Sequence, residues 1–286
     1  MGRMCRILAF VAVASIGAVA MPAASRSQSP LVRSAAAAES GQVRADLDKL
    51  ATRRILFSHH SVGENILDGL RAVEKELPGA RGLAIMGMRE AAGAEAPALV
   101  EITGGSNGDP KSKIDFFART VREGKLGRLD LAFMKLCYVD FEPQTDVQSL
   151  FAYYRATIEA LKRDAPGIRI AHSTVPLTVW ASGVRSRVYR LIGKAVAGDT
   201  SNVRRAQFNA LLKQTFADDP IYDLATIEAT APDGTKATFL QGGKEYMTLY
   251  RGYSEDGGHL NVAGQKVAAE AVIHFLAKAV DATPTN

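Results

Sequence analysis

The sequence from residue 55 onward reads Ile55-Leu56-Phe57-Ser58-His59-His60-Ser61-Val62-Gly63-Glu64-Asn65-Ile66-Leu67. A short apolar run ends in a polar cluster, and apolar residues then recur at helical spacing as far as Val73. This pattern predicts a strand, a tight turn and a helix. Ligands of open α/β sheets bind outside the carboxyl ends of the strands, so Ser61 is expected at that edge, near a helix N-terminus. Its hydroxyl is a candidate nucleophile; the alternative is an ordinary N-cap that accepts a backbone N–H.

A second polar cluster lies near the C-terminus, just before the last helical pattern, and reads Asp256-Gly257-Gly258-His259-Leu260-Asn261. A serine hydroxyl is a poor nucleophile until a base takes its proton, and the base needs a third group that fixes its tautomer. Asp256 and His259, three residues apart in a Gly-rich loop, can fill these two roles. The alternative is an Asx-turn that carries a surface histidine.

With Ser61 after the first strand and Asp-x-x-His before the last helix, the chain resembles the SGNH (GDSL-type) hydrolase superfamily over nearly all of its length beyond the leader. The segment Phe57-Ser58-His59-His60-Ser61 occupies the place of the family's apolar-x-Gly-Asp-Ser block, so two histidines replace its glycine and aspartate. Asp256 and His259 match the last block without departure. The resemblance implies a Ser61–His259–Asp256 catalytic triad and ester chemistry.

A loop rich in helix-breaking residues, from Thr103 to Lys113, precedes a further helical pattern. Acyl transfer needs hydrogen-bond donors aimed at the developing oxyanion, and the resembling family takes one from a glycine in this loop. Gly108 is the candidate here, with Asn107 as a side-chain candidate. The alternative is a glycine that only permits a positive φ. The phosphate-loop pattern Gly-x-x-x-x-Gly-Lys-Ser/Thr is absent from the sequence.

The continuous apolar run Leu129–Asp140 predicts a buried parallel strand that ends at the same edge as Ser61. The family carries a Gly-x-Asn-Asp block here, whose asparagine donates to the oxyanion. This chain has Cys137-Tyr138-Val139-Asp140, so that asparagine is missing. Either another donor such as Asn107 replaces it, or the oxyanion is held less well, and one such donor is worth about 10²–10³ in turnover.

Three further residues are candidates for the substrate pocket. Cys137 would be a stronger nucleophile than Ser61 if His259 activated it, although cysteine is also among the most buried residue types. Asp140 can position a partner or simply form a turn, and His60 directly precedes Ser61.

The alternation of strands and helices predicts an α/β fold, a flavodoxin-like three-layer sandwich with a parallel sheet of about five strands, as in SGNH hydrolases. The segment Thr230–Arg251 predicts a small hairpin beside the site. The rival α/β-hydrolase fold places its serine in Gly-x-Ser-x-Gly, and here His59 stands at the first glycine position.

Residues 1–25 have the features of a signal peptide: Arg3 and Arg6, an apolar run from Ile7 to Met21, and small residues after it. The run is shorter than the roughly twenty residues that span a bilayer, so an uncleaved anchor is the less favoured alternative. We expect a linker with a short lead-in over residues 26–50, one hydrolase domain over residues 51–282, and a periplasmic or extracellular location. No later segment is apolar enough to predict a membrane span.

The formal charge of +5 falls to 5 − 2 = +3 once Arg3 and Arg6 are removed with the leader. Scattered basic residues at this weak net charge do not predict a nucleic-acid partner. Cys137 is the only cysteine after the leader, which excludes an internal disulfide.

Four histidines raise the alternative of a metal site, namely His59, His60, His172 and His259. Adjacent histidines point apart in extended backbone and no His-Glu-x-x-His spacing occurs, so the sequence predicts neither a metal nor another cofactor.

These features predict a secreted serine esterase that hydrolyses a small ester, with a carbohydrate O-acetyl group as the expected substrate. Two alternatives stay open. One is a sugar O-acyltransferase that uses the same groups, and the other is a catalytically inactive SGNH-fold carbohydrate-binding protein, which the altered first block and the missing asparagine suggest. The sequence does not indicate an oligomeric state.

Overall fold

A computed structural model describes residues 30–194 and 196–281, with side chains from residue 38 onward. The chain divides into two compact units, residues 1–37 and residues 38–286. In the first unit the described part is the beginning of helix α1 (Pro30–Leu50). The predicted signal peptide, residues 1–25, lies outside the described residues.

The second unit is built on a parallel six-stranded sheet with the order β2-β3-β1-β4-β5-β6. Its strands are β1 (Arg54–Ser58), β2 (Ile85–Gly87), β3 (Ala98–Ile102), β4 (Leu131–Met134), β5 (Arg169–Ser173) and β6 (Ile221–Tyr222). Without the short edge strand β2, this is the flavodoxin-like order 2-1-3-4-5. The predicted α/β fold is therefore confirmed, with one strand more than the five expected.

Strand β1 lies near the middle of the sheet and sets the position of Ser61. Its last residue, Ser58, pairs with Ile102 of β3 and Met134 of β4, which are also the last residues of their strands. Three parallel strands thus end level with one another. The loops that follow them form one edge of the sheet, as the sequence predicted.

Helices cover both faces of the sheet. The α-helices among the described residues are α1, α2 (Val62–Glu76), α3 (Met88–Ala91), α4 (Pro110–Glu123), α5 (Val147–Asp164), α6 (Val184–Leu191), α7 (Ala197–Thr215), α8 (Leu224–Ala229) and α9 (Val262–Ala279). Helices α1, α2, α8 and α9 contribute to the apolar core on one face, and α4, α5 and α7 to the core on the other. Strand β1 contributes side chains to both cores, because successive residues of a strand point to opposite faces. Ile55 and Phe57 pack in the first core and Leu56 packs in the second.

The predicted hairpin within Thr230–Arg251 is present. Strands β7 (Thr238–Gln241) and β8 (Lys244–Met247) pair antiparallel through Gly242 and Gly243, both of which have positive φ. Glycine adopts this backbone conformation without a steric penalty.

Two sequence-based boundaries are wrong. The predicted linker at residues 26–50 contains α1, because its alanines favour helix and Val43, Leu47 and Leu50 are buried at helical spacing. The strand predicted over Leu129–Asp140 ends at Met134, and a 3-10 turn follows at Tyr138–Asp140. The apolar run reflects burial rather than extended backbone.

None of the helices in the described part of the chain combines the length and the apolar character that a bilayer crossing demands.

Candidate active site

Ser61 occupies a strained turn between β1 and α2. With φ 54° and ψ −106°, it is the one non-glycine residue with positive φ among the described residues. Its side chain makes no capping hydrogen bond to α2. The N-cap alternative therefore does not account for its hydroxyl. Strain of this kind, about 1–3 kcal/mol, persists only where surrounding structure enforces it, and it recurs at functional sites.

The structure brings the two distant polar clusters together. The Ser61 hydroxyl lies 2.5 Å from His259 Nε2, and His259 Nδ1 lies 2.6 Å from Asp256 Oδ2. Because Nδ1–H donates to the carboxylate, Nε2 is left as the acceptor of the Ser61 hydroxyl proton. A hydroxyl, an imidazole and a carboxylate are thus hydrogen-bonded in series, which is the arrangement that activation of a serine requires.

A network of short hydrogen bonds holds Asp256. Its Oδ1 accepts the backbone N–H groups of Gly258 and His259, both at 2.8 Å, and the Ser254 hydroxyl at 3.2 Å. The hydrogen bond from His259 and these two N–H groups hold the pKa of Asp256 well below its usual range. Asp256 is therefore an anion at neutral pH.

One further hydrogen bond joins the two halves of the site. Asn65, on the first turn of α2, accepts the Leu260 N–H through its side-chain oxygen at 3.0 Å. The loop that carries His259 is thereby fixed to the helix that follows Ser61. This role could not be predicted from the sequence, because a lone asparagine inside a helical pattern carries no positional signal.

The predicted oxyanion donors lie in a loop held by Asp140. The Asp140 carboxylate is buried and accepts the Gly108 N–H at 3.0 Å, the Cys137 N–H at 2.7 Å and Lys113 Nζ at 2.7 Å. Lys113 Nζ also donates to Asn107 Oδ1 at 2.9 Å. The Gly108 N–H is therefore engaged with Asp140 in this conformation, while the amide nitrogen of Asn107 remains available as a donor.

The two other pocket candidates lie behind Ser61. His60 Nε2 lies 2.8 Å from the Gly104 carbonyl, and the Cys137 thiol donates to the His60 carbonyl at 3.6 Å. Cys137 is 1% exposed, so its sulfur is closed to a substrate and its recorded partners are backbone and Lys135. Ser61, and not Cys137, is in contact with His259.

Tyr138 enters the site, although the sequence did not single it out. Its hydroxyl lies 3.4 Å from His259 Nε2 and 3.5 Å from Nδ1. The available signal was its position beside the place of the missing asparagine.

Among the described residues, one group has the spacing of metal ligands: His59, Glu64 and Glu101, with ligand atoms within 4.8 Å of one another. Burial and the nearby Lys135 lower the pKa of His59 to about 3, so its ring is neutral and lies 3.2 Å from Glu101. Glu64 already has a cation, since Arg71 Nη1 donates to it at 3.1 Å. We assign no metal to this group.

The four histidines considered as a metal site have separate partners. His172 is fully buried, lies 2.8 Å from the Tyr154 hydroxyl and 3.1 Å from Asp219, and belongs to the core. His259 is engaged with Ser61 and Asp256.

No protein-family model and no curated protein matches the chain. Solved structures do. A protein from Streptococcus pneumonia described as a platelet activating factor shares 14% identity over 86% of this chain and 96% of its own, with a TM-score of 0.46. A protein from Desulfitobacterium hafniense, described as lipolytic and of the G-D-S-L family, shares 10% identity over 78% of this chain and 99% of its own, with a TM-score of 0.41. A carbohydrate esterase family 3 protein from Talaromyces cellulolyticus shares 12% identity over 80% of this chain and 98% of its own, with a TM-score of 0.43.

The names among these matches agree with the resemblance predicted from the sequence. In its motifs and its parallel sheet the chain resembles this superfamily, at low sequence identity. At 10–14% identity and TM-scores below 0.5, the matched structures do not decide its chemistry. That chemistry follows from the residues of this chain.

Proposed function

We propose that this protein is a serine esterase in which Ser61, His259 and Asp256 act as the catalytic triad. The observation that carries the proposal is the unbroken hydrogen-bonded series from the Ser61 hydroxyl through His259 to Asp256, with distances of 2.5 and 2.6 Å. Ser61 and His259, which form the first of these contacts, are 198 residues apart in the sequence. The strained backbone of Ser61 supports the same assignment.

The reaction runs in two halves. Ser61 Oγ attacks the ester carbonyl while its proton passes to His259 Nε2, and the imidazolium then gives that proton to the leaving alcohol. Water repeats the sequence on the acyl-enzyme and releases the acid. Asp256 holds the His259 tautomer that leaves Nε2 free and stabilises the imidazolium throughout.

The oxyanion forms beside the N-terminus of α2, which directly follows Ser61. The unpaired N–H groups of a helix N-terminus carry a partial positive charge and favour an anion. Asn107 remains the candidate side-chain amide donor. Gly108 can donate only when its N–H leaves Asp140.

The exposure of the site favours a small acyl group carried on a large polar molecule. The side chains of His259 and Asp256 are 46% and 57% exposed, so the triad lies open to solvent. An open polar site of this kind can accept an acetyl group that projects from a polymer, because the bulk of the polymer stays outside the site. We therefore propose a carbohydrate O-acetyl ester as the substrate.

Catalysis is favoured over a binding protein that has lost its activity, because a complete Ser–His–Asp series has no use in binding alone. A sugar O-acyltransferase would use the same acyl-enzyme and differ only in its acceptor. Product analysis with and without an added sugar acceptor separates these two enzymes.

We further propose that residues 1–25 direct export from the cytoplasm, with cleavage after the small residues that follow the apolar run. Expression of the full chain in a Gram-negative host, followed by N-terminal sequencing of the periplasmic form, tests this proposal. Recovery of an uncut chain from the cytoplasm would contradict it.

The esterase proposal is tested with 4-nitrophenyl acetate and with acetylated xylan. The purified protein should release acetate from at least the first, and Ser61→Ala and His259→Ala should each lose at least about 10³-fold in kcat. Ser149→Ala, an exposed serine on α5, is the matched control and should keep full activity. Acetate release that survives Ser61→Ala would overturn the proposal.

A further inference from the structure

Two oxyanion donors of the resembling family are missing or engaged in this chain, which leaves Asn107 as the side-chain candidate in the loop before α4. Val139 stands where the resembling family carries the oxyanion asparagine, and the Gly108 N–H is bound to Asp140. An oxyanion left without a second donor costs about 10²–10³ in turnover. A donor from another part of the fold can supply what is missing.

Tyr138 places a hydroxyl at the reacting atoms. This hydroxyl lies 3.4 Å from His259 Nε2, and the Ser61 hydroxyl lies 2.5 Å from the same nitrogen. The carbonyl carbon of a bound ester is attached to Ser61 Oγ after attack, so its oxygen forms within a few ångströms of the Tyr138 hydroxyl. The hydroxyl lies 3.4 and 3.5 Å from the two ring nitrogens of His259, and at these long distances its proton can turn to a substrate oxygen.

Two independent features hold the tyrosine in place. The buried Arg205 guanidinium donates to the Tyr138 carbonyl at 2.8 and 3.1 Å, and lies 5.8 Å from the centre of its ring. On the other side, a Cβ at Gly258 would lie 2.8 Å from Tyr138 Cζ and 2.9 Å from its hydroxyl. The glycine beside His259 therefore makes the space that the tyrosine ring fills.

The hydroxyl is also kept in its donor form. Burial and the negative charge of Asp256 raise the pKa of Tyr138 above that of an ordinary tyrosine. A neutral phenol donates a hydrogen bond, whereas a phenolate would repel the oxyanion.

We propose that the Tyr138 hydroxyl donates a hydrogen bond to the ester carbonyl oxygen as that oxygen becomes the oxyanion. This inference rests on the proposed esterase function. In the step concerned, a bond forms between Ser61 Oγ and the carbonyl carbon, and the π-electron pair moves to the carbonyl oxygen. The Ser61 proton passes to His259 Nε2, and Tyr138 keeps its own proton throughout. Tyr138 thus does the work of the missing asparagine from the neighbouring position.

Tyr138→Phe tests this role, because it removes the hydroxyl and keeps the ring that packs against Gly258. We expect kcat to fall by about 10²–10³ with KM little changed. The loss should be equal for 4-nitrophenyl acetate and methyl acetate, since both form the same oxyanion. Tyr153→Phe, whose hydroxyl bonds Asp115 on the protein surface, is the matched control and should retain wild-type kinetics.

Three results would contradict the inference, and they are distinguishable. If the wild-type protein is active, Ser61→Ala is inactive and Tyr138→Phe is unimpaired, the tyrosine role fails and the esterase stands. A loss confined to methyl acetate would mean that the tyrosine assists the leaving group instead. A wild-type protein without any ester hydrolysis removes the esterase and the tyrosine role together.

A second pair of measurements separates chemistry from folding. Benzeneboronic acid forms a tetrahedral adduct with an activated serine, and Tyr138→Phe should weaken this inhibitor by a factor close to the loss in kcat. Gly258→Ala should lower kcat by displacing the tyrosine ring, and in the double variant it should add little to the effect of Tyr138→Phe. Gly167→Ala, where a Cβ meets no atom within 4 Å, is its control and should leave kcat unchanged. Fully additive losses, or unchanged boronate binding, would contradict the role of Tyr138.

Discussion

Asp256 shows how much of the proposed chemistry depends on a single side chain. One carboxylate oxygen accepts backbone N–H groups and fixes the loop, whereas the other accepts His259 Nδ1–H and fixes the base. The geometry of the loop and the tautomer of the ring are therefore separate functions of one side chain. A substitution that keeps the first and changes the second isolates the catalytic contribution.

Asp256→Asn is that substitution. The asparagine oxygen can still accept the backbone N–H groups, but its amide would face Nδ1 and favour the tautomer that leaves Nε2 protonated and unable to accept the Ser61 proton. We expect kcat to fall by about 10⁴-fold with the thermal midpoint nearly unchanged. Steady-state kinetics with 4-nitrophenyl acetate, using the neighbouring Glu255→Gln as a control, provides the measurement. Activity within tenfold of wild type would contradict an orienting role for Asp256.

At this scale the sequence predicted which distant residues would meet, but not what surrounds them. Ser61, Asp256 and His259 carry the chemistry and the spacing from which a triad could be proposed, and the structure brings them into contact. Tyr138 and Asn65 gave no such signal, because their roles depend on where a loop ring and a helix side chain point. The candidates Gly108 and Asn107 have polar partners in the structure, and their proposed oxyanion role stays a prediction.

Among the elements, the turn between β1 and α2 carries the strain of the site. A residue with a Cβ is disfavoured at φ 54° and ψ −106°, and only glycine adopts that conformation freely. The turn keeps a serine there because the hydroxyl must project beyond the strand toward His259. The proposed function is thus maintained at a cost in stability.

This cost gives a prediction for two inactive variants. Ser61→Gly should be more stable than Ser61→Ala by about 1 kcal/mol, since glycine relieves the strain that alanine retains. Ser149, in the first turn of α5, provides the control pair, where alanine should be the more stable because glycine weakens a helix. Urea unfolding of the four proteins measures the differences. Equal stability of the two Ser61 variants would mean that the turn is not strained.

The element boundaries show where sequence patterns fail. The sequence predicts the alternation of strands and helices, but it does not predict α1, because the alanines of that segment give little amphipathic contrast. Strand β4 was predicted too long, because residues beyond Met134 remain buried after the backbone leaves the sheet. An apolar run indicates burial and not necessarily extended backbone. Beyond the end of β4 the chain stays buried, and there the Cys137 N–H donates to the Asp140 carboxylate instead of to a neighbouring strand.

On the scale of the whole molecule, the packing of α2 against α9 brings the segments that carry Ser61 and His259 together. These helices follow Ser61 and His259, and both belong to the same apolar core. They approach closely at Gly69, where a Cβ would lie 2.2 Å from the Gln265 carbonyl oxygen. The separation of the two helices, and with it the Ser61–His259 distance, therefore depends on a residue far from the chemistry.

Gly69→Ala should accordingly lower both stability and kcat, although alanine is the better helix former. Gly41→Ala, in α1 where a Cβ meets no atom within 4 Å, should raise stability by up to about 1 kcal/mol. Thermal unfolding and 4-nitrophenyl acetate kinetics on both variants make the comparison. An increase in stability for Gly69→Ala equal to that for Gly41→Ala would contradict the close helix contact.

The buried charges predict how stability changes with pH. Burial raises the pKa of Glu228 to about 8, and one of its carboxylate oxygens has no partner. The folded state therefore holds a proton that the unfolded state releases near pH 4.3. The contribution of Glu228 to the free energy of unfolding is fully present below about pH 4 and is lost as the pH rises through 8. Glu228→Gln, which mimics the protonated form, should lose less stability than wild type between pH 5 and pH 9. The exposed Glu90→Gln is the control and should follow wild type, and parallel profiles for Glu228→Gln and wild type would contradict the shift.

The central claim is that the hydroxyl of Ser61 is activated by His259, and a fluorophosphonate tests it most directly. Intact-mass analysis of the folded protein should show one adduct, and peptide mapping should place it on Ser61. His259→Ala should remain folded and lose the adduct, because the hydroxyl then has no base. A folded wild-type protein that stays unlabelled, or an adduct on any residue other than Ser61, would contradict the claim.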